Sequence, residues 1–180
     1  MPAWHRWRNR HTLTVLIFHR VIPFDTARPQ STWPPWTVTP AFFDQCLDFL
    51  HRHYHIVSLQ QILDALRGGS TLPSCSVLIT FDDGWLDTSQ IAQPILIRRD
   101  CPAVLFAVGG LGDGQEFWHE SLLRCFYSGG LAPATIQSLW HESGDAAPPP
   151  AKWSDQASFW QLLARLQALP QDRRLQCLAR

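Results

Sequence analysis

Four short apolar runs, separated by stretches with helical spacing, constrain this chain more than any other feature. Leu13 to Phe18 and Ser76 to Phe81 read as strands buried on both faces, Ile56–Val57 as a brief strand, and Ala103 to Val108 as the last clear one. Between them, Thr39 is placed to cap a helix with Pro40 in its first position, and Phe43, Cys46, Leu47 and Leu50 recur at helical spacing. Ser58 and Gln61 form a capping box for a second helix, which Gly68 and Gly69 stop. A third helix runs from about Thr88 to Arg99, with Pro94 expected to kink it. Strands alternating with helices predict parallel β/α units.

Pro23 through Trp36, rich in proline and polar residues, reads as a long loop. After Gly114 the pattern turns helical, with Phe117–Phe126 and Phe159–Leu169 as the best segments and Pro148–Pro150 as a stiff linker between them. The chain thus divides into a basic N-terminal arm over 1–11, a β/α region over 12–115 and a mostly helical segment over 116–180. Four parallel strands make an open sheet or half a barrel and leave an apolar edge unpaired, so self-association is expected. The sequence reads as the front part of a larger β/α fold.

Composition narrows the classes of function. Hydrophobic residues are 46% of the 180, enough for a packed core, and the length suits one domain. Lys and Arg number 15 against 15 Asp and Glu, which argues against nucleic acid or an anionic membrane as the main partner. Arg6, Arg8 and Arg10 read as a solvated arm. The five cysteines form no C-x-x-C pair, so neither a disulfide framework nor a zinc ribbon is indicated. No apolar run approaches the roughly 18 residues of a membrane span. No apolar stretch precedes Thr12 as a secretion signal requires, and a cytoplasmic location is expected.

The chemistry concentrates in Thr80-Phe81-Asp82-Asp83-Gly84-Trp85. Active sites of parallel β/α folds gather at the C-terminal ends of strands, and this motif sits at such an end. Two adjacent carboxylates repel unless a cation or a proton offsets them. Neighbouring side chains on a strand point to opposite faces, so the two aspartates do not share one job. Gly84 permits a sharp turn that brings both toward one cleft by different routes. One Asp on a metal and one free as a base is the natural division, and a polar turn with helix-capping aspartates is the structural alternative.

Three stretches resemble the polysaccharide deacetylases of the NodB type, the fourth carbohydrate esterase family. Leu16-Ile17-Phe18-His19-Arg20-Val21 is similar to that family's first-strand signature. Ile79 through Trp85 matches its first catalytic motif, with Trp85 where Tyr is commoner, and Cys101 through Val108 resembles the strand that follows. The resemblance implies a distorted (β/α) barrel, here its front half, that removes N-acetyl groups from the amino sugars of a carbohydrate. It assigns Asp82 as the general base and Asp83 as a ligand of a divalent metal, zinc or a similar ion. Such a metal lowers the pKa of bound water and polarises the acetamide carbonyl. His19, ending the first strand, is read either as a hydrogen-bond partner of a carboxylate near the substrate or as a core-capping residue. Trp85 and Trp118 are read as packing before sugar stacking, since the chain has nine tryptophans.

The implied metal needs two further imidazoles, which the family draws from a later His-(Ser/Thr)-x-x-His motif. Downstream of Gly84 the sequence has only His119 and His141, too far apart for that motif. His51 and His55 have the right spacing but precede the aspartates, where the family has no ligand. The expected explanation is a chain that stops before that motif, which holds zinc weakly and turns over little substrate. A degenerate domain that binds glycan or a partner protein is the alternative. Phosphoryl transfer at a magnesium site would want a lysine nearby, and the sequence has only Lys152.

Overall fold

The computed structural model describes residues 10–23, 36–110, 116–128, 130, 132–143 and 156–178. The arm up to residue 9, most of the 23–36 loop and the proline linker lie outside them. In chain order come β1 (Leu13–Phe18), β2 (Arg20–Val21), β3 (Thr37–Val38), α1 (Pro40–His53), β4 (His55–Ile56), α2 (Leu59–Leu66) and β5 (Ser76–Asp83). A π-helical turn, Thr88–Ala92, continues into α3 (Gln93–Arg98), and β6 (Ala103–Ala107) follows. Then come α4 (Trp118–Tyr127), α5 (Pro133–Glu142), α6 (Gln156–Ala168) and α7 (Gln171–Leu178). Contacts divide the chain into two compact units, Met1–Gly114 and Gln115–Arg180.

In the first unit the helices begin where local chemistry demands. The Thr39 hydroxyl accepts the Phe42 N–H at 3.2 Å, with Pro40 in the first turn where its missing N–H leaves no gap. Ser58 and Gln61 close the expected box: the Ser58 hydroxyl accepts the Gln61 N–H at 3.2 Å and the Gln61 carbonyl accepts the Ser58 N–H at 2.8 Å. Gly68 takes the left-handed conformation just past α2, with φ +80°.

The third helix departs from the simple kink that Pro94 suggests. Pro94 has no N–H to give the Gln90 carbonyl, and the backbone answers by widening the preceding turn. The Gln93 N–H reaches the Thr88 carbonyl five residues back, and regular α-helix resumes at Gln93.

All strand pairings among the described residues are parallel. β1 lies along β5 from Leu13–Ser76 to Phe18–Phe81. β4 pairs with Ser76 and Val77, and β6 pairs with β5 from Ile79 to Asp83. Since β1 already occupies one edge of β5 at those residues, β4 and β6 share the other edge. β5 is therefore the central strand, and Ser76 to Phe81 are buried on both faces as the sequence predicts. One face meets α1 and α3, where Phe18, Phe43 and Phe81 form a triad of rings with centroids 5.0, 5.6 and 5.7 Å apart. Leu47, Leu50, Val77, Ile79, Ile95 and Leu96 extend that core. A smaller cluster of Val57, Ile62 and Leu78 covers the start of the opposite face.

The opposite face corrects one expectation. Leu13–Phe18 is not buried on both sides: Val15 and Ile17 are 50% and 54% exposed. By register they lie with Leu78, Thr80 and Asp82, while on β6 the partner of Asp82 is Phe106, also exposed. The reason is coverage. β1 is an edge strand, and the cluster around Ile62 reaches only the beginning of this face among the described residues.

β2 and β3, a parallel pair of two residues each, have no counterpart in the sequence reading. The described elements of the second unit are all helices. Leu122, Leu123, Ile136, Leu139, Phe159, Leu162, Leu163 and Leu166 are buried in it. Phe126 stacks on Phe159 at 4.3 Å, and the Arg165 guanidinium lies 4.0 Å over Trp140. α5 and α7 are additions to the two helices read from sequence. No helix of the described residues is long and apolar enough to cross a membrane.

Candidate active site

β5 carries both aspartates past the end of the buried core, and both are half-buried. Asp82 continues the strand alternation, on the face of Leu78 and Thr80. Asp83 does not continue it simply, because its own φ is +73°. The Gly84 N–H donates to the Asp82 carbonyl at 3.0 Å, two residues back. That bond with a positive central φ is the rarer and more strained form of the γ-turn. The sharp turn is thus centred on Asp83, one residue earlier than the glycine suggests.

Gly84 is required next to it for two reasons. Its φ is +82°, and a Cβ built there would stand 3.0 Å from the Ala107 Cβ and 3.2 Å from the Ala107 Cα. β6 also locks the turn: the Val108 N–H donates to the Asp83 carbonyl at 3.3 Å. The backbone at the strand end is held from both sides.

The side chains are held as well. The Trp85 indole N–H donates to Asp83 Oδ2 at 3.1 Å. The Arg20 guanidinium lies 4.2 Å from the Trp85 ring centre, and its Nε donates to Asp87 Oδ2 at 3.0 Å. The other oxygen, Asp87 Oδ1, accepts the Val21 N–H at 2.9 Å. Asp87 stands at the helix-capping position but makes no side-chain capping bond, its two oxygens being taken by Arg20 and Val21.

His19 follows Phe18 on the adjoining strand, one register step past the Phe18–Phe81 pair. Its ring packs on Trp36 at 4.8 Å, and among the described residues it makes no hydrogen bond to either aspartate. Trp118 lies 4.9 Å from the Arg174 guanidinium in the second unit, and neither tryptophan singled out in the sequence presents two open faces. His51 and His55 do not converge. His51 Nε2 lies 3.0 Å from the Arg99 carbonyl and 3.1 Å from Cys101 Sγ, while His55 Nδ1 donates to the Ser74 carbonyl at 2.7 Å. Among the described residues, no group of three His, Cys, Asp or Glu could hold a metal ion. On their own they do not fit the divalent ion that the motif implies.

Sequence reading did not single out Arg20 and Asp87. The signal was present in both: each stands inside a quoted or adjoining motif, and a charged residue within apolar surroundings needs a partner.

No family model matches the chain. A curated relative, the poly-beta-1,6-N-acetyl-D-glucosamine N-deacetylase of Escherichia coli strain K12, is 39% identical over 75 residues, and the protein of that name from strain O157:H7 matches equally. Over those 75 residues the chain is similar to a polysaccharide deacetylase. The matched stretch is 42% of this chain and 11% of that deacetylase, so the chain spans a small part of the relative's length. Among solved structures, a de-N-acetylase from Aggregatibacter actinomycetemcomitans is 34% identical with a TM-score of 0.48, covering 53% of this chain and 37% of that one. IcaB from Ammonifex degensii is 32% identical with a TM-score of 0.46, covering 65% and 49%.

Proposed function

We propose that the Asp82–Asp83 turn serves the hydrolytic removal of N-acetyl groups from amino sugars of a poly- or oligosaccharide. The observation that carries this reading is the geometry of the strand end. Two neighbouring carboxylates leave the central strand by different routes, one along the strand alternation and one through a strained turn. Asp83 is tied to an indole N–H, whereas Asp82 has no such tie among the described residues.

Asp82 is the general base. An acetamide carbonyl is a poor electrophile, so water must lose a proton as it attacks. As the water oxygen bonds to the carbonyl carbon, Asp82 takes that proton. Collapse of the tetrahedral adduct breaks the C–N bond and releases acetate, and the proton on Asp82 is available to the leaving amine. The developing oxyanion needs a donor or a cation. Metal dependence belongs to this proposal only with ligands from outside the described residues, because these hold no group of three that could bind an ion.

The substrate class is proposed from the relative, whose name specifies β-1,6-linked N-acetylglucosamine. Oligomers of that sugar are therefore the substrate to test. Turnover is expected to be slow, so incubation at high protein concentration is expected to produce free amines, detected with an amine-reactive fluorophore. Oligomers that remain fully acetylated contradict the proposal.

A further inference from the structure

We infer that Arg20 and Trp85 are positioning residues for the Asp83 carboxylate: Asp87 holds Arg20 on the indole face, and the indole N–H holds Oδ2. The inference rests on the functional reading above, but its geometry stands apart from it.

Each link is a separate contact. Asp87 is buried and accepts from Arg20 and from the Val21 backbone, which fixes the guanidinium from a distant part of the chain. Nη2 of Arg20 also lies 3.0 Å from Asp87 Oδ2. A guanidinium held this way cannot swing off the indole without breaking a buried pair. The cation over the ring face draws on the π-electrons, and the indole N–H at the ring edge becomes a better donor. That donor points across Gly84 to Asp83 Oδ2.

The consequence falls on one oxygen. Asp83 sits on a turn of positive φ, where its backbone is fixed but its carboxylate retains rotational freedom. Trp85 removes that freedom by occupying Oδ2. Oδ1, which takes none of the hydrogen bonds found among the described residues, is the oxygen presented to a ligand at the strand end. At metal sites, losing a hydrogen bond that orients a ligating side chain costs about 10- to 100-fold in metal affinity or activity. One face of Trp85 is covered by Arg20, which also accounts for a tryptophan at this place without any stacked sugar.

The test uses the intact chain labelled with 15N. Its nine tryptophans give separate indole N–H signals, and the Trp85 signal is the one lost in Trp85→Phe. In Asp83→Ala the Trp85 indole proton is expected to move to higher field, and in Arg20→Lys it is expected to shift while the other indoles hold. Lysine keeps the charge but loses the planar stack. Arg20→Lys is expected to lower kcat for acetate release about 10-fold with KM unchanged. A Trp85 signal that stays in place in Asp83→Ala, or in Arg20→Lys, overturns the inference. So does a loss of kcat in Arg20→Lys without an indole shift, since that is what a purely structural role would give.

Should Arg20→Lys fail to fold, Trp85→Phe decides, because it keeps an aromatic face for Arg20, though a smaller one, and removes the N–H that donates to Asp83. An unchanged kcat in Trp85→Phe overturns the inference. The two readings fail differently. Acetate release that survives Asp82→Asn removes the functional proposal, and the indole shifts still decide whether Asp83 is positioned in this way.

Discussion

Replacing Asp87 by alanine is expected to lower the unfolding free energy of the first unit by about 3–5 kcal/mol. Asp87 is 7% exposed, and its carboxylate serves two partners that nothing else described replaces. Its loss leaves the Arg20 guanidinium, with 18% of its side chain exposed, short of its counter-charge. It also leaves the N–H of fully buried Val21 without an acceptor, worth about 1–3 kcal/mol within that total. The pair joins positions 67 residues apart, so β2 and the start of the π-helical turn loosen together. Chemical denaturation followed by circular dichroism measures the change. Replacing both partners by apolar side chains is expected to recover part of the loss, because the uncompensated charge disappears. A loss below about 1 kcal/mol in Asp87→Ala would show that solvent reaches this pair and that the carboxylate does not hold the turn in place.

Gly84→Ala is expected to destabilise by about 2–4 kcal/mol, from strain and contact together. A non-glycine residue at φ +82° carries roughly 1–2 kcal/mol of left-handed strain. The new methyl group also meets the Ala107 Cβ at 3.0 Å and the Ala107 Cα at 3.2 Å, and the latter is backbone that cannot rotate away. Relief requires β6 to move off β5, which breaks the bond from the Val108 N–H to Asp83. Gly68 separates the two contributions. Its φ is +80° but a Cβ there has nothing within 4 Å, so Gly68→Ala reports the strain alone. The difference between the two variants, read from their denaturation midpoints, is the contact with Ala107. Equal losses in both would mean that β6 yields freely, and the rigid strand end described here would not exist.

What the sequence shows of this molecule is what local chemistry determines. Thr39 and Ser58 announce helix starts because their hydroxyls bond to N–H groups only three residues away. The Asp pair is legible because an apolar strand that ends on two carboxylates has to end at water or at a partner. Features set by distant neighbours are not legible. Val15 and Ile17 read as core because they are apolar, and they are exposed because the described helices do not cover that part of the face. Arg20 and Asp87 find each other through the fold. β2 and β3 are too short to carry any periodicity. The turn at Asp83 escapes for another reason: propensity places positive φ on glycine, and the chain extends it to the aspartate before Gly84.

The central claim is that Asp82 removes a proton in amide hydrolysis. The most direct measurement is acetate release from a β-1,6-linked N-acetylglucosamine oligomer by the wild-type protein and by Asp82→Asn, at equal concentration and pH. Asparagine keeps the shape of the residue but cannot accept the proton. The account predicts release by the wild type and a fall of about 100-fold or more in the variant. Equal release by the two proteins would contradict it.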